Sequence, residues 1–219
     1  MTDFWTDASS VTEWERQDAQ QDLLAVPRRI AAEIVAIDRP STARILDVGS
    51  GPGDFLACLL ERFPSATGIW NDISEAMESI ARAKMARFGD RVDYRLGDMA
   101  DLSGLPDGLD VVVTSRAVHH LDVAGLHRFY AEAATHLAPG GWLINLDHTG
   151  PADDLWDRRL REARKRLVPR MGEVKPHHHN YPLTGVPDHL HALGEAGFTD
   201  VEVPWRAYVT CLFTARRAG

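Results

Sequence analysis

The stretch from Arg44 to Phe55, R-I-L-D-V-G-S-G-P-G-D-F, limits what this chain can become more than any other. Ile45, Leu46 and Val48 form a short β-branched and apolar run, the pattern of a strand buried on both faces. Asp47 interrupts that run two residues before Gly49, which alternates onward with Gly51 and Gly53. Phe55, Leu56, Leu59 and Leu60 then share one face at helical spacing. Strand, glycine turn and helix bring backbone N–H groups close to a ligand at a helix N-terminus. Glycine there can take φ > 0 and removes the Cβ that would block the ligand. By itself this could be a plain strand-to-helix turn. The dinucleotide fingerprint G-x-G-x-x-G is a near neighbour, but here the third glycine comes one residue earlier.

Three later stretches follow in order. Gly68 to Met77, G-I-W-N-D-I-S-E-A-M, ends a second strand at Asp72, about one βαβ half-unit after the glycines. Val92 to Leu96 is strand-like and runs into L-G-D-M at Leu96 to Met99. Leu109 to Leu121 reads L-D-V-V-V-T-S-R-A-V-H-H-L. With D-x-G-x-G-x-G at their head, these stretches resemble the class I S-adenosylmethionine (SAM) methyltransferases over roughly the first two-thirds of the chain. The resemblance implies an α/β fold, a Rossmann-like three-layer sandwich with a seven-stranded, mostly parallel sheet whose last strand is antiparallel. It implies SAM as cofactor and S-adenosyl-L-homocysteine as product. It places Asp47, Gly49, Gly51, Gly53, Ile73 and Ser115 in the cofactor site and Asp72 at the ribose hydroxyls. Asp98 then accepts from the adenine amino group, and the backbone N–H of Met99 faces the ring.

The chain has 219 residues, enough for one domain with a substantial core, and residues 1–219 are read as a single domain. No apolar run reaches membrane-spanning length, and Met1 to Ser10 lacks the basic and apolar regions of a signal peptide. Cys58 and Cys211 form no framework and read as two reduced, buried thiols of a cytoplasmic protein. Net charge is −8, which argues against a nucleic-acid partner, since phosphate binders carry basic excess. The dense basic run Arg158 to Arg170 carries Glu162 within it.

Before the first strand, residues 1–38 contain a helical pattern at Leu24, Ile30, Ile34 and Ile37, with Pro27 near its start. Phe4, Trp5 and Trp14 either join this segment as a lid over the cofactor, as the resemblance implies, or pack on the flank. From Arg44 onward strands are predicted near 44–48, 67–72, 92–96, 109–115 and 141–147. Helices are predicted near 53–63, 74–88, 123–138 and 186–196. Pro139-Gly140-Gly141 reads as a break between helix and strand. Val201 to Trp205 and Tyr208 to Ala215 would be strands six and seven. Residues 149–185 are an irregular insertion after the fifth strand, at the sheet's carboxyl edge, where open α/β sheets bind ligands. In the family such insertions shape the acceptor pocket.

Methyl transfer from a sulfonium needs mainly placement. A hydroxyl or ammonium acceptor must also lose a proton, and imidazole suits that task near neutral pH. His119, His148 and His178 are the candidate bases, because the fourth strand, the fifth strand and the insertion all end at the carboxyl edge. His120 reads as packing, His127 and His136 as surface, and His189 and His191 as structural. The run His177-His178-His179 alternates faces and lacks spaced partners, so no metal site is expected. Trp14, Arg116, Asp147 and Tyr181 are candidate acceptor contacts, with Arg116 a possible clamp for a carboxylate. The expected function is methyl transfer to a small-molecule acceptor at oxygen or nitrogen. An RNA or protein acceptor, and a SAM-binding role without methyl transfer, are the alternatives.

Overall fold

The computed structural model describes residues 7, 9–11, 24–167 and 181–219. The helices are α1 (Ala25–Asp38), α2 (Asp54–Arg62), α3 (Glu75–Lys84), α4 (Val123–His136), α5 (Asp154–Leu167) and α6 (Val186–Glu195). The strands are β1 (Arg44–Val48), β2 (Thr67–Asp72), β3 (Val92–Leu96), β4 (Leu109–Ser115), β5 (Leu137–His148), β6 (Phe198–Ala207) and β7 (Thr210–Arg217).

The strands form one seven-stranded sheet in the order β3-β2-β1-β4-β5-β7-β6. β1 pairs in parallel with β2 and β4, and β4 in parallel with β5. β7 runs antiparallel to both β5 and β6, as the resemblance implies. The central strands are apolar on both faces because both faces are covered. Ile45, Val111 and Ile144 pack with Phe55, Leu59 and Trp70 on one side. Leu46, Val112 and Leu143 pack with Leu126, Phe129 and Phe213 on the other. Since β1 leads outward to β2 and β4 on opposite sides, a crevice opens beyond its carboxyl end.

Several boundaries differ from the sequence reading, each for a local reason. α3 starts behind Ser74, whose Oγ accepts from Met77 N at 3.2 Å, but it ends at Lys84. A 3₁₀ turn over Ala86–Arg91 follows, with Gly89 at φ 54°. β5 starts at Leu137 rather than Gly141. Leu109 pairs with Leu137 and Val111 with Trp142, so the Pro139-Gly140-Gly141 segment is a bulge inside the strand. Tyr208 sits in the β6–β7 turn at φ 54° and is exposed rather than core. His136, read as a surface residue, is buried with Nδ1 2.8 Å from Asp107 Oδ1. His191, read as structural, keeps its side chain 68% exposed beside Glu195. Cys58 is only half-buried, whereas Cys211 is buried. The insertion is pinned at its ends, with Gly150 bridged to Gly185 and Gly150 N donating to Thr184 O at 2.9 Å. No helix among the described residues is long and apolar enough to cross a membrane.

Candidate active site

The glycine loop is stitched to the end of β2. Ser50 N donates to Asn71 O at 3.0 Å and Gly51 N to Asp72 Oδ2 at 2.8 Å. Trp70 Nε1, from a fully buried ring, donates to Gly51 O at 2.8 Å. Gly49 has φ 63°, Gly51 φ 54° and Gly53 φ 84°, all in the region that disfavours a Cβ. The reasons for glycine then diverge. A Cβ on Gly49 would stand 2.4 Å from Ala117 Cβ, and one on Gly53 would stand 2.5 Å from Met85 Cε. A Cβ on Gly51 would meet nothing closer than Met77 Sδ at 3.9 Å. Gly49 and Gly53 therefore serve packing, and Gly51 leaves space open.

That space is a cleft of about 730 Å³, counting its open mouth, along the carboxyl edge of β1, β2 and β4. Gly49, Gly51, Asp72, Ile73, Asp98, Met99 and Ser115 line it, so seven of the nine expected cofactor residues meet around one space. The other two lie beneath the loop. Gly53 caps α2. Asp47 is buried, and its Oδ2 accepts from Ser50 Oγ at 2.7 Å and Leu56 N at 3.2 Å. Burial pushes the Asp47 carboxyl up to about 7, against the pull of those two donors.

Asp72 divides its carboxylate between two backbone donors, Gly51 N and, through Oδ1 at 3.0 Å, Ser74 N. Burial raises its pKa from the ordinary carboxylate value, while those N–H groups act in the opposite sense. Asp98 is exposed and gives one oxygen to Ala100 N at 2.9 Å. Ile73 and Met99 add apolar wall beside it.

Among the candidate bases and acceptor contacts the structure sorts differently from the sequence. His119 and Asp147 do come together, but behind the cleft. Asp147 is fully buried at the end of β5, and its Oδ1 lies 2.5 Å from His119 Nδ1. Burial alone would raise this carboxyl; His119, then His148, hold it at about 2. Asp147 therefore faces imidazole and backbone, and does not present itself to an acceptor as expected. His148 is partly buried, with Nδ1 3.1 Å from Thr210 Oγ1, and does not line the cleft. His120, read as packing, does line it. Arg116 also lines it, at φ 52°, with its N–H extending the ladder to Leu146 O at 3.0 Å. Tyr181 is exposed and away from the cleft. Trp14 and His178 lie outside the described residues.

The sequence reading missed Arg28, Ala117 and the side of His120. Arg28 reaches the cleft from α1, 3.9 Å from Asp54 Oδ2 at the start of α2. A signal for it exists: Arg28 shares the helical stripe of the buried Ala31, Ala32 and Val35, an odd place for arginine. Among the described residues no group of three or more His, Cys, Asp or Glu could hold a metal ion.

Comparison with known proteins agrees with this geometry. A family model described as a methyltransferase domain matches residues 45–141. A demethylmenaquinone methyltransferase of Deinococcus radiodurans is 32% identical over 147 residues, 67% of this chain and 59% of its own length. A malonyl-(acyl-carrier protein) O-methyltransferase of Geobacter sulfurreducens is 33% identical over 186 residues, 82% of this chain and 65% of its own. The chain thus spans about three-fifths of the length of these relatives. Human N-acetylserotonin methyltransferase, solved in complex with SAM, superposes with TM-score 0.69 at 18% identity over 99% of this chain and 58% of that one. With the matched domain, the 3-2-1-4-5-7-6 sheet and the glycine loop stitched to Asp72, the chain belongs to the class I SAM-dependent methyltransferase family.

Proposed function

We propose that this chain binds SAM in the cleft and moves its methyl group to a small-molecule acceptor, at oxygen or nitrogen. One observation carries the reading: a glycine loop with open space at Gly51 faces two carboxylates, Asp72 and Asp98, across a single cleft at the sheet's carboxyl edge. When bound there, SAM supplies an electrophilic methyl carbon on a sulfonium. Asp72 has accepted two backbone N–H groups, and a carboxylate offers about four lone-pair positions, which leaves capacity for the ribose hydroxyls. Asp98 has an oxygen left for the adenine amino group, and Ile73 and Met99 flank the ring. Ser115 Oγ is buried and has no hydrogen-bond partner among the described residues, which suits a polar ligand at that wall. Arg28 and Arg116 are the cations for the carboxylate of the methionine portion or of an acceptor.

The small-molecule class is supported by net charge −8, which opposes tracking of a phosphate backbone. It is also supported by relatives whose names specify demethylmenaquinone, trans-aconitate and malonyl-acyl carrier protein. Residues 149–185 would shape the acceptor side, and the protein would work in the cytoplasm. The test is a screen with methyl-labelled SAM against hydroxyl, amine, carboxylate and quinol acceptors, with bulk tRNA as a further arm. Label entering a small molecule is expected. Label entering tRNA alone, with a steep salt dependence, would replace the acceptor class.

A further inference from the structure

We infer that His120 is the group that takes the acceptor's proton, and that Asp147 and His119 form a buried pair that positions it. This rests on the methyl-transfer reading above.

The placement starts at the end of β4. Arg116 still bonds to Leu146 O, then turns the chain at φ 52° into a 3₁₀ turn, Val118–His120. Both side chains are buried and their rings lie in contact, so what separates them is the cleft, which His120 lines and His119 does not. His119 goes inward, with its side chain 2% exposed. His120 becomes part of the cleft wall.

What sends His119 inward is Asp147. Its Oδ2 accepts the backbone N–H of His119 at 2.9 Å, and its Oδ1 accepts the N–H of His148 at 2.8 Å while lying 2.5 Å from His119 Nδ1. An ionised carboxylate at that nitrogen keeps the ring proton on Nδ1 and fixes the ring's orientation. The His119 ring stands 4.1 Å from the His120 ring, tilted 40°, and 5.2 Å from that of His148. A buried carboxylate is costly unless paired and hydrogen-bonded, and here each of its bonds goes to the turn that carries His120 or to the adjoining strand end. When His120 gains a proton, the positive charge forms beside a pair whose carboxylate offsets it.

The acceptor's lone pair forms the new bond to the methyl carbon, and the carbon–sulfur bond breaks with its electron pair going to sulfur. S-adenosylhomocysteine leaves, and the acceptor's proton passes to a ring nitrogen of His120 and then to water. Among the described residues, the charged groups that share the cleft with His120 are Arg28, Asp54, Asp72, Asp98 and Arg116. Behind it stand His119, Asp147 and His148.

The experiment uses the full chain and two variants, His120→Gln and Asp147→Asn. Calorimetry with SAM reports on the methyltransferase reading itself. Transfer rates from labelled SAM to the acceptor found by the screen, followed against pH, report on the base. Histidine ring NMR with S-adenosylhomocysteine reports on His120 without any acceptor. In His120→Gln, SAM affinity should stay within about threefold while the rate falls about a hundredfold to ten-thousandfold and the acid limb of the pH profile disappears. Asp147→Asn removes a negative charge, so the acid limb and the His120 titration midpoint should move to lower pH by more than about 0.3 unit. A purely structural role would lower the rate without moving either. Should Asp147→Asn not fold, the wild-type spectrum decides, because His119 must hold its Nδ1 proton across pH 5–8. A retained acid limb in His120→Gln, an unmoved His120 midpoint in Asp147→Asn, or an Nε2–H tautomer on His119 would overturn the inference. Failure of SAM to bind would instead overturn the function on which it rests.

Discussion

Replacing Asp72 with alanine should produce two separable losses. In the structure one carboxylate oxygen holds Gly51 N–H at 2.8 Å and the other holds Ser74 N–H at 3.0 Å. Removing both acceptors strands two backbone donors, at about 1–3 kcal/mol when water cannot fully replace them. In a chain of this size about 1 kcal/mol moves the melting temperature by roughly 2–4 °C, so the ligand-free variant should melt about 2–12 °C lower. The second loss appears only with ligand. A hydrogen bond to a charged acceptor is worth about 1.5–3 kcal/mol, and tenfold in affinity is about 1.4, so SAM should bind about tenfold to a hundredfold more weakly. Calorimetry with SAM and with a 2′,3′-dideoxy analogue separates the two. Wild type should favour SAM over the analogue by that factor, and Asp72→Ala should not discriminate. Asp72→Asn, which keeps one carbonyl oxygen, should fall between. If Asp72→Ala weakens both ligands equally, the carboxylate acts only through the loop and the ribose assignment fails.

Gly51→Ala should fold, because its Cβ meets nothing within 3.9 Å, yet it should carry about 1–2 kcal/mol of left-handed strain and lose about tenfold or more in SAM affinity. Gly49→Ala meets the short side chain of Ala117 and should lose more melting temperature than Gly51→Ala does, whereas Gly53→Ala meets the flexible end of Met85; equal melting in Gly49→Ala and Gly51→Ala would contradict the packing distinction. Asp47 has its pKa raised to about 7 by burial, so its contribution to stability is complete below the unfolded value of about 3.9 and is lost as pH rises through 7. Asp47→Asn should therefore flatten the melting temperature between pH 5 and 8, and a parallel decline in both proteins would show that Asp47 is not the source. His189, stacked on Phe213 and bonded to Tyr130 OH, is held at about 4 by burial. A base lowered in this way contributes stability above its unfolded pKa of about 6.5 and loses it as pH falls through 4. His189→Gln should be less stable at pH 7 but should show a shallower acid decline.

The glycine side of the cleft was legible because it is written locally. Strands β1 and β4 are buried, mainly apolar runs with Asp47 as the polar break in β1, and the glycine spacing fixes the turn between β1 and α2. The side of the cleft that His120 lines was not legible, because it depends on a conformation that no periodicity encodes. Read as extended chain, the His119-His120 pair sends its rings to opposite faces; in the 3₁₀ turn Asp147, 28 residues away, decides which ring turns inward. Arg28 was missed for a related reason: α1 lies far from the glycine loop in sequence, and only its packing on α2 brings the guanidinium beside Asp54. The Pro139-Gly140-Gly141 break is chemically real, but it was absorbed as a bulge because β4 pairs with the strand at Leu137 before it and at Trp142 after it.

The most direct test of the SAM site is calorimetric titration of the purified chain with SAM, repeated with S-adenosylhomocysteine as competitor. One site per chain, shared by both ligands, is expected. Saturation at about a hundred times Kd should stabilise the fold by about 2.7 kcal/mol, a rise of roughly 5–11 °C in melting temperature for a chain of this length. A folded protein that gives neither binding heat nor a melting shift with SAM would contradict the account.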